Sequence, residues 1–156
     1  MLLKRNLTRC AVFGATLFAA THVFAAANSC SITVTANDAM QYDVKEISVP
    51  KTCKEMTVVF KNAGKLARNV MGHNWVLAKT ADVAAVNADG MAAGLDKQHV
   101  KAGDARVIAA TKVLGPGESE TVKILASKIV AGQDYTFFCS FPGHSGIMKG
   151  SFALAK

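Results

Sequence analysis

The sequence predicts an all-β protein, a β-sandwich with one short helix outside its sheets. Short segments in which β-branched and apolar residues alternate recur along residues 28–156, as half-buried strands require. Turn-forming residues separate these segments, notably Asn62-Ala63-Gly64 and Gly115-Pro116-Gly117. Seven or eight such segments in a chain of this length indicate two packed sheets in one domain.

Each predicted strand takes its boundaries from one alternating run. In chain order the strands cover residues 31–36, 44–49, 56–61, 69–77, 105–114, 120–126, 134–141 and 148–155. The segment 80–95 differs, because its alanine content and its spaced apolar residues are typical of a helix. We expect this helix to be short, to break near Gly90 and to lie outside the sheets. The sequence contains no internal repeat and no linker to a second domain.

The first 27 residues have the layout of a bacterial secretory signal peptide. A basic flank at residues 4–9 precedes an apolar run at residues 10–24, and small residues follow up to Ala27. The run is shorter than the ~20 residues that span a bilayer. We therefore predict cleavage near the Ala27–Asn28 bond, a mature domain of residues 28–156 in the periplasm, and no stable membrane insertion. The alternative of a lipoprotein is weaker, since no cysteine stands in a convincing lipid-attachment motif.

The charge of the mature chain is mildly basic. Without the leader, 15 lysines and arginines face 11 acidic residues, which gives a net charge of +4. The basic residues are scattered among apolar ones and form no stripe, so we do not expect the protein to bind nucleic acid.

The mature chain contains three cysteines, Cys30, Cys53 and Cys139, so at least one thiol is unpaired. Cys30 and Cys53 each flank a predicted strand and enclose a loop of moderate length. A disulfide between them is the economical pairing in an oxidising compartment. Cys139 then stands alone among three phenylalanines. A free thiol that persists in that compartment needs either deep burial or a metal.

The segment CSFPGHSGIMKG, residues 139–150, brings together a thiol, an imidazole and a thioether. These belong to Cys139, His144 and Met148, and a second imidazole, His73, lies far upstream in VMGHNW. Two imidazoles and a thiolate with a weak thioether are the ligand set of a blue-copper electron-transfer site. Two alternatives are weaker: the side chains could be ordinary core residues, or the metal could be zinc, which accepts Cys and His but rarely Met.

Three motifs carry a resemblance to a known family. They are VMGHNWVL at residues 70–77, DGMAAGLDK at residues 89–97 and FFCSFPGHSGIMKG at residues 137–150. Along essentially its whole mature length the chain resembles the azurins, the bacterial periplasmic blue-copper proteins of the cupredoxin family. The resemblance implies an eight-stranded Greek-key β-sandwich with one short external helix. It also supports the disulfide between the first two cysteines of the mature chain.

The same resemblance implies a single type 1 copper and a ligand for each position around it. His73, Cys139 and His144 would be equatorial ligands, Met148 a long axial one, and the carbonyl of Gly72 a weak contact on the opposite side.

By analogy and on physical grounds, we also expect certain roles for the residues around the ligands. The backbone N–H groups of Asn74 and Phe141 would donate to the Cys139 sulfur and raise the reduction potential. The Asn74 side chain would tie the two ligand loops together, or serve only as an ordinary loop cap. We expect Trp75 to be a core residue. His144 would reach the surface within an apolar patch for electron transfer, formed with Leu66, Val70, Met71, Met91 and Phe141.

Two positions depart from the family pattern or lie outside it. Several azurins carry a histidine linked to proton-coupled changes at the place of Asn62, so we do not expect a pH switch there. His99 is the remaining histidine of the mature chain. We interpret it as a surface or loop residue and not as a ligand.

The residues favour a one-electron carrier over an enzyme. A copper nitrite reductase or oxidase needs a second copper centre with several more imidazoles, and only His99 is left to supply one. A copper chaperone would favour an exposed Cys or Met-rich site from which the metal leaves easily. The resemblance implies transient partners such as c-type cytochromes or periplasmic reductases, in respiration or denitrification.

Overall fold

Nine strands form two sheets in the computed structural model of the chain, which describes residues 29–155. The predicted signal peptide lies outside the described residues. The four-stranded sheet has the order β2-β1-β4-β7 and contains β1 (Ser31–Asn37), β2 (Gln41–Tyr42), β4 (Glu55–Asn62) and β7 (Ser119–Leu125). The five-stranded sheet has the order β3-β9-β8-β5-β6 and contains β3 (Glu46–Val49), β5 (Val76–Lys79), β6 (Val107–Ala110), β8 (Tyr135–Phe138) and β9 (Lys149–Leu154).

The predicted sandwich fold is confirmed, and each of the eight predicted segments overlaps one strand. The ninth strand, β2, has only two residues, which is too short to leave an alternating pattern in the sequence. Strands β1 and β4 run parallel, as do β3 and β9, whereas the other pairs are antiparallel.

The core lies between the sheets and is rich in aromatic rings. Every second residue of β4 faces inward, so Val58 and Phe60 are fully buried. Trp75 is also fully buried, as predicted, and stacks on Phe137 at a centroid distance of 5.6 Å. The Tyr42 ring packs on Phe137 as well, at 5.6 Å. These large side chains fix the spacing between the sheets at the base of the loops that carry the candidate ligands.

Within residues 29–155, two α-helices lie outside the sheets. The predicted helix is α2 (Val83–Ala93), preceded by one 3-10 turn. The predicted break at Gly90 is wrong: the helix continues to Ala93 and ends at Gly94, whose φ of 77° suits glycine. Gly90 is instead a place of close packing, since an added Cβ would lie 2.2 Å from the carbonyl oxygen of His99.

The predicted strand at residues 69–77 is wrong over residues 69–75. Residues Arg68–Met71 form a single helical turn, α1, and the chain then becomes extended at Gly72. The backbone N–H groups of Val70 and Met71 both donate to the carbonyl of Ala67, which closes the turn. Only β5 (Val76–Lys79) joins the sheet, so the predicted strand overlaps it at residues 76 and 77. Residues 72–75 are buried, but they pair only through the isolated bridge at His73.

The cysteines pair as predicted. Cys30 and Cys53 form a disulfide across a sequence separation of 23 residues, with their Cα atoms 5.5 Å apart. Cys139 is free and buried.

The helices found within residues 29–155 are all too short or too polar to cross a lipid bilayer.

An ion-pair cluster fixes the connection between α2 and β6. The Arg106 guanidinium contacts the carboxylates of Asp89 and Asp104, in both cases at 2.6 Å. The hydrogen bond from Arg106 is the main cause that lowers the pKa of Asp104 from 3.8 to about 2. The Asp104 side chain is 5% exposed, so the ion pair excludes much of the solvent around this carboxylate.

This cluster predicts a specific loss of stability in acid. Because the pKa of Asp104 is lower in the folded chain, its contribution is fully present above about pH 4 and is lost as the pH falls towards 2. Chemical denaturation at a series of pH values should show the free energy of unfolding falling less steeply between pH 4 and 2 in Asp104→Asn than in the unchanged protein. Equal slopes in the two proteins would contradict the role given to this ion pair.

Candidate metal centre

Three buried side chains from two distant parts of the sequence meet at one end of the sandwich. The ligand atoms of His73, Cys139 and His144 all lie within 4.8 Å of one another. The Cys139 Sγ and the His144 Nδ1 are 3.5 Å apart. Among residues 29–155 this is the one group of three or more His, Cys, Asp or Glu side chains that is spaced to hold a metal ion.

The turn after β8 places two of these side chains. Cys139 comes directly after the strand, and its N–H donates to the carbonyl of Met148 at 3.0 Å. The N–H of Met148 in turn donates to the carbonyl of His144 at 2.9 Å, and that of His144 to Phe141 at 3.0 Å. The loop therefore closes on itself before β9 begins, which holds Cys139 and His144 at a fixed separation. Met148 is fully buried at the end of this loop.

His73 reaches the same place from a separate loop. Its backbone forms an isolated β-bridge with Leu114, with hydrogen bonds of 3.2 and 2.7 Å. Gly72 precedes it in a crowded position, where an added Cβ would lie 2.3 Å from the Arg68 carbonyl oxygen and 2.5 Å from Val113. Any larger residue would push the helical turn α1 away from this bridge, so glycine at residue 72 allows His73 to sit where it does.

Burial controls the electrostatics of the three side chains. Burial lowers the pKa of His144 from 6.5 to about 4, and the nearby His73 makes a smaller contribution in the same direction. Burial also lowers the pKa of His73, and the Asn37 backbone and Asp38 partly offset this decrease. Both imidazoles are therefore neutral near pH 7 and keep a lone pair for a metal.

The thiol of Cys139 responds to burial in the opposite direction. Burial raises its pKa from 9.0 to about 12, although the backbone N–H groups of Asn74 and Phe141 donate to the sulfur and partly counteract the increase. Without a cation the thiol keeps its proton. With a metal beside it, the two N–H groups are already directed at the sulfur that becomes the thiolate.

The donor set fits a soft transition metal. Neither ring nitrogen of His73 has a hydrogen-bond partner of good geometry among the described residues, although the ring is fully buried. Buried polar atoms are usually satisfied, so an unpartnered buried imidazole beside a thiol fits the role of a metal ligand. A thiolate with two imidazoles suits copper, and no carboxylate belongs to the group that would favour a hard cation.

A layer of hydrogen bonds joins the two ligand loops behind the site. The Asn74 Oδ1 accepts from the backbone N–H of Ser140 at 2.9 Å, and the Asn74 Nδ2 donates to the Ser140 hydroxyl at 2.8 Å. Both residues are fully buried and each directly follows a candidate ligand. The Asn74 side chain thus links the loops in addition to any role within its own turn. Sequence reasoning missed the Ser140 hydroxyl, because a serine in a turn carries no distinctive signal.

The residues of the expected apolar patch differ in exposure. Leu66 is 45%, Val70 59% and Met91 43% exposed, whereas Met71 is half-buried. His144 is only 3% exposed, because the Phe141 ring packs on it at a centroid distance of 4.8 Å. Its surface edge is therefore narrower than the sequence suggested. Ile147, which the sequence analysis did not single out, is 58% exposed within the ligand loop itself. Its position between His144 and Met148 in the sequence could have indicated that it lies near the metal centre.

The two other singled-out polar residues are both buried. Asn62 joins two loops, since its Nδ2 donates to the Leu114 carbonyl at 3.0 Å and its Oδ1 accepts from the Gly64 N–H at 2.8 Å. His99 lies in a loop, as expected, but it is 7% exposed and so is not a surface residue. It packs edge-on against Phe141 at 5.2 Å and does not belong to the metal-spaced group.

Comparison with known proteins identifies the family. The sequence profile of the copper-binding proteins of the plastocyanin/azurin family matches residues 28–155. The chain belongs to the plastocyanin/azurin family of copper-binding proteins. The resemblance read from the sequence is thereby confirmed, as is copper as the cofactor, for which the cluster of His73, Cys139 and His144 is the group able to hold a metal.

Individual relatives support the assignment. The azurin of Bordetella pertussis is 57% identical over 141 residues, which cover 90% of this chain and 94% of the relative. Azurin-1 of Alcaligenes xylosoxydans xylosoxydans is 58% identical over 125 residues, covering 80% and 97%. The solved structure of the azurin Az-iso2 from Methylomonas sp. strain J superposes with a TM-score of 0.79 at 47% identity, covering 82% of this chain and 99% of that one.

Proposed function

We propose that the chain is a one-electron carrier with a single type 1 copper. His73, Cys139 and His144 would hold the copper, with weaker contacts from the Met148 thioether and the carbonyl of Gly72. The observation that carries the proposal is the buried cluster of one thiol and two neutral imidazoles, with their ligand atoms within 4.8 Å of one another. When bound, copper supplies a couple between two oxidation states that differ by one electron.

The surroundings of the ligands resist rearrangement, as fast electron exchange requires. Backbone hydrogen bonds close the loop from Cys139 to Met148, and the bridge to Leu114 anchors His73. Packing of the buried rings leaves little free volume into which a ligand could move. A site that changes little between two oxidation states has a small reorganisation energy, so the protein framework itself favours rapid transfer.

The protein also sets the reduction potential through the sulfur. The N–H groups of Asn74 and Phe141 donate to the Cys139 sulfur, and burial keeps water away from it. Both effects reduce the stabilisation of extra positive charge at the metal, so they raise the potential. Met148, fully buried at the end of the loop, would supply the weak thioether donor that suits this ligand set.

We infer that electrons pass through the surface near His144. The patch consists of His144, Leu66, Val70, Met71, Met91 and Phe141, and exposed Ile147 extends it. An apolar, uncharged contact of this kind desolvates easily and suits the brief, small interfaces of redox partners. Proteins with an exposed redox group, such as c-type cytochromes or periplasmic reductases, are the partners that we propose.

The alternative of a copper enzyme has less support. The four side-chain donors leave no dedicated open position for a substrate, and His99, which packs on Phe141, does not belong to the metal-spaced group. Residues 29–155 contain no second group spaced to hold a metal. A zinc role is also disfavoured, since structural zinc sites seldom include a methionine.

The electron-carrier proposal predicts reversible redox chemistry without turnover. The copper-loaded mature chain should accept and release one electron per molecule at an electrode, because its ligands hold both oxidation states in one framework. Addition of nitrite or dioxygen should produce no sustained catalytic current, and the metal-free protein is the control for the electrode response. A steady catalytic current that requires the copper would replace the carrier with an enzyme.

We further propose that residues 1–27 direct export to the periplasm and are removed. The oxidised pair Cys30–Cys53 supports this, since disulfides persist in oxidising compartments. N-terminal sequencing of the protein from a periplasmic extract should begin at or within a few residues of Asn28. Recovery of the intact chain from the cytoplasm, with Met1 at its start, would contradict export.

A further inference from the structure

The turn formed by Gln98 and His99 has an unusual backbone. Both residues are in the left-handed region, with φ angles of 61° and 51°. Residues other than glycine rarely adopt this conformation, and two in succession persist only when the surroundings determine them. Of the described residues other than glycine, Met40 is the one further case of positive φ. Contacts with the surrounding residues must therefore hold the turn in this conformation, because its own residue types do not favour it.

The two carbonyl groups of this turn point at the layer behind the metal centre. The Gln98 carbonyl accepts a hydrogen bond from the Asn74 Nδ2 at 2.9 Å. The His99 carbonyl accepts one from the Ser140 hydroxyl at 2.7 Å. Asn74 follows the ligand His73, and Ser140 follows the ligand Cys139. One turn thus contacts both ligand-bearing segments, although it belongs to neither.

These two contacts fix the direction of every hydrogen bond in the layer. A hydroxyl has a single proton, and the Ser140 hydroxyl gives it to His99, so it must accept from Asn74. The amide of Asn74 has two protons, which go to Gln98 and to Ser140, so its oxygen faces the N–H of Ser140. A reversed amide would set acceptor against acceptor at the Gln98 carbonyl and at the Ser140 hydroxyl. The turn therefore determines the orientation of the Asn74 side chain.

The turn is itself held from behind. The Gln98 Oε1 accepts from the Arg68 Nη2 at 2.7 Å and from the Val113 N–H at 2.9 Å. The carbonyl oxygen of His99 lies directly against Gly90 of α2, where an added Cβ would approach it to 2.2 Å. The external helix thus supports the turn, and Gly90 provides the space.

We propose that the Gln98–His99 turn, supported by Gly90, is a positioning element that sets the geometry of the metal centre through Ser140 and Asn74. The proposal rests on the proposed function for its copper readouts but not for its hydrogen-exchange readout. It gives the external helix a role: α2 determines where the turn lies, and the turn determines where the residues behind Cys139 and His73 lie.

The test uses Gly90→Ala, with Ala85→Gly as the matched control. Alanine is the better helix former, so intrinsic propensity alone predicts a more stable helix in Gly90→Ala and a less stable one in Ala85→Gly, on the exposed side of α2. The contact with His99 predicts the opposite effect for Gly90→Ala. In the metal-free protein, the Ser140 amide should exchange its hydrogen roughly tenfold faster in Gly90→Ala and at an unchanged rate in Ala85→Gly.

The copper-loaded variants supply the second readout. Gly90→Ala should shift both the thiolate-to-copper absorption band and the reduction potential, whereas Ala85→Gly should shift neither. Ser140→Ala should shift both, and Ser140→Thr, which keeps the hydroxyl, should restore them. The shifts of Gly90→Ala and Ser140→Ala should not add in the double variant, because they act through one hydroxyl.

Specific results would overturn the proposal. Unchanged Ser140 exchange in Gly90→Ala would show that the turn does not act on the residues behind the centre. Additive shifts in the double variant would show that any effect of Gly90 bypasses the Ser140 hydroxyl, which would reject the proposed route. If Gly90→Ala fails to fold, the comparison of Ser140→Ala with Ser140→Thr still tests the proposal. If these two variants have the same absorption band and the same reduction potential, the positioning role is rejected. A colourless copper-loaded wild type would instead defeat the proposed function, while hydrogen exchange would still test the turn.

Discussion

Replacing Cys139 by serine should abolish the intense visible absorption of the copper-loaded chain. That absorption requires charge transfer from a thiolate to the metal, and Cys139 is the one free thiol among residues 29–155. A serine hydroxyl is a hard donor that keeps its proton, so the site would retain two imidazoles without the soft ligand that favours copper. We expect the colour to vanish and the affinity for copper to fall.

Several measurements make this prediction specific. Metal analysis and absorption spectroscopy after copper addition follow the affinity and the colour, and circular dichroism shows whether the sandwich is intact. Ile147→Ala is the matched control, because this residue lies in the same loop but is 58% exposed, so the colour should persist. An intense visible band in Cys139→Ser would show that another group supplies the charge transfer.

Removing the disulfide should produce the largest loss of stability among the changes considered for the folded chain. In the double variant Cys30→Ser, Cys53→Ser, the unfolded state regains the freedom of a loop whose ends are 23 residues apart. Loop-closure arithmetic gives a cost of about 3 kcal/mol in the free energy of unfolding. That is a large part of the stability of a typical domain of this size.

The same variant should leave the metal centre nearly unchanged. Cys30 stands at the start of β1, and the seven residues of this strand extend roughly 23 Å to Asn37, whose backbone lies near the ring of His73. Chemical denaturation should show the loss of stability, and the copper band should keep its position. A stable variant would mean that residual structure in the unfolded chain replaces the crosslink, and a lost band would mean that the two ends of the sandwich are coupled.

Much of the fold was predictable because it depends on periodicity. Along β1, β4 and β7, apolar and polar residues alternate because one face of each strand packs on the core. This pattern can be read from the sequence without knowing which side chains contact one another. The segment at residues 69–77 was predicted wrongly, since its apolar residues belong both to an exposed helical turn and to a buried strand. The prediction at Gly90 was wrong for a related reason. The sequence alone does not distinguish a glycine required for close contact from one that breaks a helix.

The candidate ligands were predictable because their chemistry is rare. An unpaired thiol in a chain with a predicted signal peptide, an imidazole five residues later and a thioether four residues after that are seldom found together by chance. The Gln98–His99 turn could not be found in this way. It acts through backbone carbonyls, which every residue has, and its conformation is imposed by contacts with Asn74, Ser140 and Gly90 that are distant in sequence.

The most direct test of the copper assignment is a titration of the metal-free mature chain with copper(II), followed by absorption spectroscopy and metal analysis. We predict that an intense visible band grows in proportion to added copper and stops growing at one copper per chain, as expected for a single buried site built from His73, Cys139 and His144. Copper that binds without this band, or a band that continues to grow beyond one equivalent, would contradict the assignment of a single type 1 centre at these residues.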